Sequence, residues 1–205
     1  MRVLIACEFS GIVRSAFRAR GHDAWSCDLL PAEDGSPFHI QGDALDAADG
    51  SWDLMIAHPP CTRLSNSGVR WLHKPPSGKT LADMWLGLEQ AVDFYKALRD
   101  APIPRKAIEN PIMHKYAKVK IRPGWRQIVQ PWMFGEPFFK ATGFELINLP
   151  ALVPTNVLIL PEKGSAEHKS WSAVHREPPG PDRWKNRSRS FKGVSEAMAL
   201  QWGNA

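Results

Sequence analysis

The chain has no long uncharged apolar run, so no stretch of it is of membrane-spanning length. Its first apolar stretch breaks at Glu8, too soon for a secretory signal. Cysteine is scarce, and the three present, Cys7, Cys27 and Cys61, form an odd, widely spaced set. That set excludes a disulfide framework and lacks the spacing of metal ligands. No internal repeat is present, which excludes a repeat architecture. Together these absences describe a soluble, cytoplasmic protein of a reducing compartment, with no metal and no membrane partner.

What is present is 205 residues, 43% of them hydrophobic, enough to bury the core of one domain with a small appendage. The formal charge of +5 is modest, but Asp182 to Lys192 (DRWKNRSRSFK) gathers Arg183, Lys185, Arg187, Arg189 and Lys192 against one Asp. Such a cluster suits a polyanionic partner, and equally a solvated basic tail.

The apolar pattern predicts strands at Arg2 to Cys7, Asp23 to Cys27, Trp52 to Ala57 and Arg105 to Ile108. Between them, Ile12 to Arg20 reads as a helix stopped by Gly21. Thr80 to Arg99 places Leu81, Met84, Trp85, Leu88, Val92, Tyr95 and Leu98 on one helical face. Strands alternating with helices imply a mainly parallel α/β sheet covered on both faces, with ligands beyond the carboxyl ends of its strands. From Arg126 onward, RQIVQ, TGFELINL and NVLIL read as further strands. Pro161 to Pro181 reads as irregular, and Ser195 to Trp202 as a closing helix capped by Ser195.

Two stretches carry chemistry. In IAHPPCTRLSNSG (Ile56 to Gly68) a buried strand runs into two prolines that stop it rigidly and present Cys61 at the sheet edge. A thiolate nucleophile needs such a position, held still and depressed in pKa by nearby donors; a lone cysteine also serves as a small buried hydrophobe. In AIENP (Ala107 to Pro111) the next strand delivers Glu109 and Asn110 to the same edge, and Pro111 ends it there. Glu109 alone is also what a strand-end carboxylate bonded to a turn looks like. Adjacent strand ends lie one strand spacing or a small multiple apart, so Cys61 and Glu109 strengthen each other.

These residues resemble the DNA (cytosine-5)-methyltransferase family, in a short form of phage or prophage type. The family's Pro-Pro-Cys-Gln-x-Phe-Ser-x-x-Gly loop is matched by Pro59, Pro60, Cys61, Ser65 and Gly68, with Thr62 for Gln and Leu64 for Phe. Its Glu-Asn-Val is matched by Glu109 and Asn110, with Pro111 third. Of Phe-x-Gly-x-Gly-Gly, Phe9 and Gly11 are kept, while Val13 and Arg14 replace the later glycines. Gly42-Asp43 resembles the Gly-Asp that meets the adenine amino group, and Asp28 the acid that holds the ribose. Of Gly-x-Pro-Gln-x-Arg-x-Arg, Gly135 and Pro137 are kept, while Phe138, Lys140 and Thr142 stand for Gln and the two arginines. Arg189, Glu196 and Gln201-Trp202-Gly203 resemble the closing motifs loosely.

The resemblance implies a Rossmann-like S-adenosylmethionine-dependent methyltransferase fold. It assigns Phe9, Ser10, Gly11, Asp28, Leu29, Asp43 and Pro59 to the cofactor, S-adenosylmethionine. Cys61, Glu109 and Lys140 become the catalytic set, and Pro60, Ser65, Asn110, Thr142, Arg187 and Arg189 the substrate contacts. Cys61 would add to C6 of the pyrimidine while Glu109 gives a proton or hydrogen bond at N3, with Thr62 to Lys79 as a lid over a flipped base. Residues 1–150 are then the cofactor-binding and catalytic domain, 151–186 a short irregular recognition segment, and 187–205 a basic segment and helix returning to the domain.

Only the stretch from Ala151 to Lys185 lies where the family inserts a much longer recognition domain. It offers His168, Trp171, His175 and Trp184, which suit base stacking and phosphate contact more than base-edge readout. The expected partner is DNA, single-stranded or with a flipped base, read with low specificity or with a protein partner that supplies recognition. Two alternatives stand beside it: C5 methylation of RNA or a free pyrimidine nucleotide, and a non-catalytic nucleic-acid-binding protein that keeps the fold.

Overall fold

In the computed structural model, which describes residues 1–204, β1 (Arg2–Ala6) buries four of its five side chains and pairs on both edges. Apolar side chains on both faces of one strand are what a central parallel strand requires. Around it follow α1 (Ile12–Arg18), β2 (Asp23–Asp28), β3 (His39–Gln41), α2 (Ala44–Ala48), β4 (Leu54–Ala57), α3 (Leu81–Asp100), β5 (Arg105–Pro111) and α4 (Lys115–Ile121). After these come β6 (Arg126–Val129), β7 (Thr142–Ile147), α5 (Ala166–Trp171), α6 (Ala173–Arg176), α7 (Arg183–Ser188) and α8 (Lys192–Gln201).

The seven strands lie in the order β3-β2-β1-β4-β5-β7-β6, the first five parallel and β7 antiparallel to both neighbours. This is the mainly parallel, Rossmann-like α/β sheet that the sequence implies. One face packs Leu4, Met55 and Ile108 against α2, α3 and α4; the other packs Val3, Ile56 and Ala107 against α1 and α8. Chain order reverses between β1 and β4, which opens a crevice above their carboxyl ends.

α3 begins where the sequence places it, because Thr80 and Asp83 form a capping box: Asp83 N donates to Thr80 Oγ1 at 3.1 Å, and Thr80 N donates to Asp83 Oδ2 at 2.8 Å. Three expectations are corrected. NVLIL is not a strand, since Asn156 only bridges Phe134, Leu158 N donates to Trp132 O, and Ile159 lies 93% exposed. Pro161 to Pro181 is not wholly irregular: Ser165 Oγ accepts from His168 N and starts α5, a polar surface helix that buries only Trp171 and so has no apolar period to read. Ser195 does not cap. α8 starts three residues earlier, and Ser195 Oγ donates back to Phe191 O inside it.

No helix among the described residues is long and apolar enough to cross a membrane. Among them, no group of three or more His, Cys, Asp or Glu is placed to hold a metal ion.

Candidate active site

The register that pairs Ala57 with Ile108 sets His58 opposite Glu109 at the carboxyl ends of β4 and β5. Side chains alternate along each strand, so both follow Ile56 and Ala107 onto the α1–α8 face. There His58 Nδ1–H donates to Glu109 Oε2 at 3.2 Å, and both side chains are largely buried. His58 Nε2 and Glu109 Oε1 are buried without a partner. Burial works to raise the Glu109 carboxyl. The His58 hydrogen bond and charge, then Lys140 and Arg126, outweigh it and hold the carboxyl below the usual range.

His58 and Glu109 form the floor of a small cavity of about 30 Å³, with Thr142 and Phe144 beside them and Ser188 and Phe191 above. It is narrow and partly open, with Ser188, Ser190 and Phe191 of the α7–α8 connection along one side. Lys140 lines the same cavity, its Nζ donating to Arg189 O at 3.2 Å. Thr142 Oγ1 spends its proton on Lys140 O, 3.1 Å away.

Cys61 follows two residues after buried Pro59, is half-buried, and folds the loop tightly because its carbonyl accepts from both Leu64 N and Ser65 N. The thiol is not depressed as expected. Burial first, and then the Glu109 carboxylate, push it up against the weaker pull of Lys140 and Arg187.

The remaining substrate candidates divide. Pro60 is exposed at the rim. Ser65 is buried and shares a hydrogen bond with Ser67. Asn110 alternates to the face opposite Glu109, where it is fully buried with both amide atoms unpartnered. Arg187 is half-buried and Arg189 exposed, the latter ion-paired with Glu33 across 156 residues of chain. The expected lid is pinned in its first half: Asn66 N donates to Ile112 O, Ser65 bridges Met113, and Leu64 and Leu72 are buried.

In the crevice above β1 and β2, Asp28 Oδ1 accepts from Leu30 N at 3.0 Å and Asp43 Oδ1 caps α2 through Leu45 N at 2.8 Å. Leu29 stands 73% exposed next to Asp28. An apolar side chain beside two strand-end carboxylates fits an adenosyl group, ring on Leu29 and hydroxyls on Asp28. Phe9 is buried and Ser10 Oγ donates to Glu8 Oε1 at 3.4 Å.

Gly11 has φ 70°, and a Cβ there would strike the Arg14 guanidinium. Buried Arg14 thus fills the space beside the glycine turn, ion-paired with Asp34 and donating to Ser26 Oγ at 2.9 Å. The Glu8 carboxylate accepts from Val13 N at 2.7 Å and Arg14 N at 3.2 Å, taking those amides of α1 for itself. Burial raises Glu8, opposed by His58, by those two amides and by Arg14.

Two residues of the site escaped the sequence. His58 sits one residue before the double proline, and its alternation with Ile56 was the signal that could have found it. Glu8 looked like a strand terminator. Trp184, expected to stack on bases, instead has its ring 5.9 Å from Phe9, with Lys185 Nζ 5.8 Å from the Phe9 ring. α7 therefore rests on the rim of the crevice.

Among the solved structures similar to this chain is a DNA modification methyltransferase encoded within a prophage of E. coli. It is 16% identical with TM-score 0.47, over 77% of this chain and 52% of its own. The Entamoeba histolytica methyltransferase EhMeth is 15% identical with TM-score 0.42, over 80% and 57%. S. pombe Dnmt2 methyltransferase is 16% identical with TM-score 0.42, over 74% and 51%. The chain spans little more than half the length of these structures. No protein-family model and no curated protein matches it. A likeness this remote carries no argument about activity, which rests on the site's own residues.

Proposed function

We propose that this chain catalyses S-adenosylmethionine-dependent methyl transfer to C5 of cytosine in DNA through a covalent Cys61 adduct at C6. The observation that carries the reading is that Glu109 and Lys140 line one cavity at the carboxyl ends of β4 and β5, with Cys61 in the loop that leaves β4 at the same edge. Lys140 and Arg187 favour the thiolate that attacks C6. Glu109 lines the cavity, and its Oε1, buried and unpartnered, is the atom free to serve N3. Cys61 adds to C6 as Glu109 gives a proton to N3; C5 then has the electron density to take a methyl group. The C5 proton is then lost to solvent water or hydroxide, and elimination of the thiolate across C5–C6 restores the ring as the N3 proton returns to Glu109. S-adenosylmethionine, held by Asp28, Leu29 and Asp43 with Phe9 and Pro59 below, supplies an electrophilic methyl group when bound. Sequence readout is low or comes from a partner, because residues 151–186 are short and α7 is spent against Phe9.

A second reading, C5 methylation of RNA or of a free pyrimidine nucleotide, draws on the short segment 151–186, whose helices α5 and α6 are six and four residues long and offer little for base-edge readout. One experiment separates the two. The protein is incubated with the cofactor and single-stranded DNA, duplex DNA, RNA or nucleotides, and the products are digested to nucleosides for mass spectrometry. A 5-methylcytosine signal in DNA, absent with Cys61→Ala, is the expected result. Signal in the RNA or nucleotide arm alone selects the second reading, and no methylated pyrimidine in any arm sinks both.

A further inference from the structure

We infer that His58 is a positioning residue for Glu109: its Nδ1–H engages one carboxyl oxygen, so that the other is fixed toward the cavity to give its proton to the substrate's N3. The inference deepens the proposed methyl transfer and rests on it.

The geometry assigns the role. A carboxylate has two oxygens that can exchange by rotation about one bond, and a buried carboxyl with no partner has nothing to choose between them. Here Oε2 is held by His58 at 3.2 Å, while Oε1 is buried and unpartnered, in a side chain that lines the cavity. The hydrogen bond needs the proton on Nδ1, because the carboxylate only accepts. His58 also stabilises what the step leaves behind. When Cys61 adds to C6, the Glu109 proton passes from Oε1 to N3 and the carboxyl becomes a carboxylate. After methyl transfer solvent takes the C5 proton, and as the thiolate leaves, the N3 proton returns to Oε1. Within this exchange the imidazole neither gains nor loses a proton.

The charged surroundings are few. From the β1–α1 turn Glu8 faces His58, with Arg14 behind it. Arg126 of β6 and Lys140 before β7 face Glu109, and Cys61 lies beyond β4 with Arg187 of α7 acting on it. Of the groups that hold the buried Glu109 carboxyl low, His58 acts most strongly. Without His58 the burial is less opposed, and Glu109 must titrate higher. For an acid held low and a thiol held high, the acidic limb of the kcat/KM profile follows the acid and the basic limb the thiol.

The test compares wild type, His58→Ala and His58→Asn, using radiolabelled S-adenosylmethionine and a single-stranded oligodeoxynucleotide that contains cytosine, across the pH range. His58→Ala is expected to move the acidic limb up by about one pH unit and to lower kcat about tenfold, with KM little changed. Asn retains a donor near the Nδ1 position without the ring's capacity for charge, so His58→Asn should fold even if the alanine variant does not, and its limb should lie between the other two. An acidic limb that stays at the wild-type position in the variants that fold, or moves down, overturns the inference while leaving methyl transfer standing. Wild type inactive on the oligonucleotide, on RNA and on nucleotides overturns the proposed function and this inference with it.

Discussion

Cys61 and Glu109 carry opposite assignments at the scale of single residues. The proposed methyl transfer wants the thiol charged and the carboxyl neutral, whereas the fold holds the thiol high and the carboxyl low. Only a small fraction of the free enzyme then has both groups in the reactive form at any pH. A bell-shaped kcat/KM profile with a low maximum is expected, its acidic limb belonging to Glu109 and its basic limb to Cys61. In Glu109→Gln the bell becomes a single rise through the thiol's titration with no decline at high pH, and turnover falls. The same variant removes the carboxylate that, after burial, raises the thiol, so iodoacetamide should alkylate Cys61 up to about tenfold faster, as read by peptide mapping. Slower alkylation of Cys61 in Glu109→Gln would contradict this account of the thiol. Thr142 has no charge to give and spends its hydroxyl on Lys140 O, so Lys140 and Arg187 are the cations left to favour the thiolate.

At the scale of elements, α8 and the segment before it decide whether the cavity has a roof. Trp202, just past the end of α8, is fully buried, donates through Nε1 to Pro150 O at 2.9 Å, and meets Phe144 edge-on at 5.8 Å between ring centres. Phe144 is itself a wall of the cavity. Trp202→Ala should cost about 3–5 kcal/mol in denaturant unfolding, the range for emptying so large a buried site. A loss under about 1 kcal/mol would mean that α8 is not anchored there. Gly193 is the tighter constraint on the same helix, since a Cβ would run into the carbonyl of Phe134, a backbone atom that cannot swing aside. Most element positions were legible: RVLIA, DAWSC and LMIA read as strands because parallel strands buried on both faces are continuously apolar. α3 was legible through its stripe and its cap. The short pieces were not. β3 has three residues, and α5 to α7 are four to six residues long with mostly polar surfaces, too brief for a period to register.

For the whole molecule, the basic segment reads differently once folded. Arg189 is tied to Glu33, Lys192 approaches Glu196, Arg183 Nε donates to Glu177 O, and Lys185 lies over Phe9. Yet all of these except Arg183 and Lys185 remain well exposed to solvent at their charged ends or on the surface pairs they form, where ion pairs hold little energy and can be exchanged for phosphates. If about four phosphates are met, single-strand binding should weaken with a slope near −3 in log affinity against log salt. A flat dependence would identify the segment as a solvated surface. By itself the sequence determined where the strand ends lie, since Pro59 and Pro60 halt the chain just after β4 and Pro111 is the last residue of β5, and Cys61 and Glu109 come to one edge as a result. It also determined a parallel sheet, because apolar runs of strand length joined by helices leave few other solutions. Only the tertiary structure decided which way the thiol and the carboxyl titrate, that His58 holds Glu109, that Arg14 fills the space beside Gly11, and that α7 lies on Phe9. Each of those depends on burial and on charges brought together from distant parts of the chain, and neither quantity exists until the chain has folded.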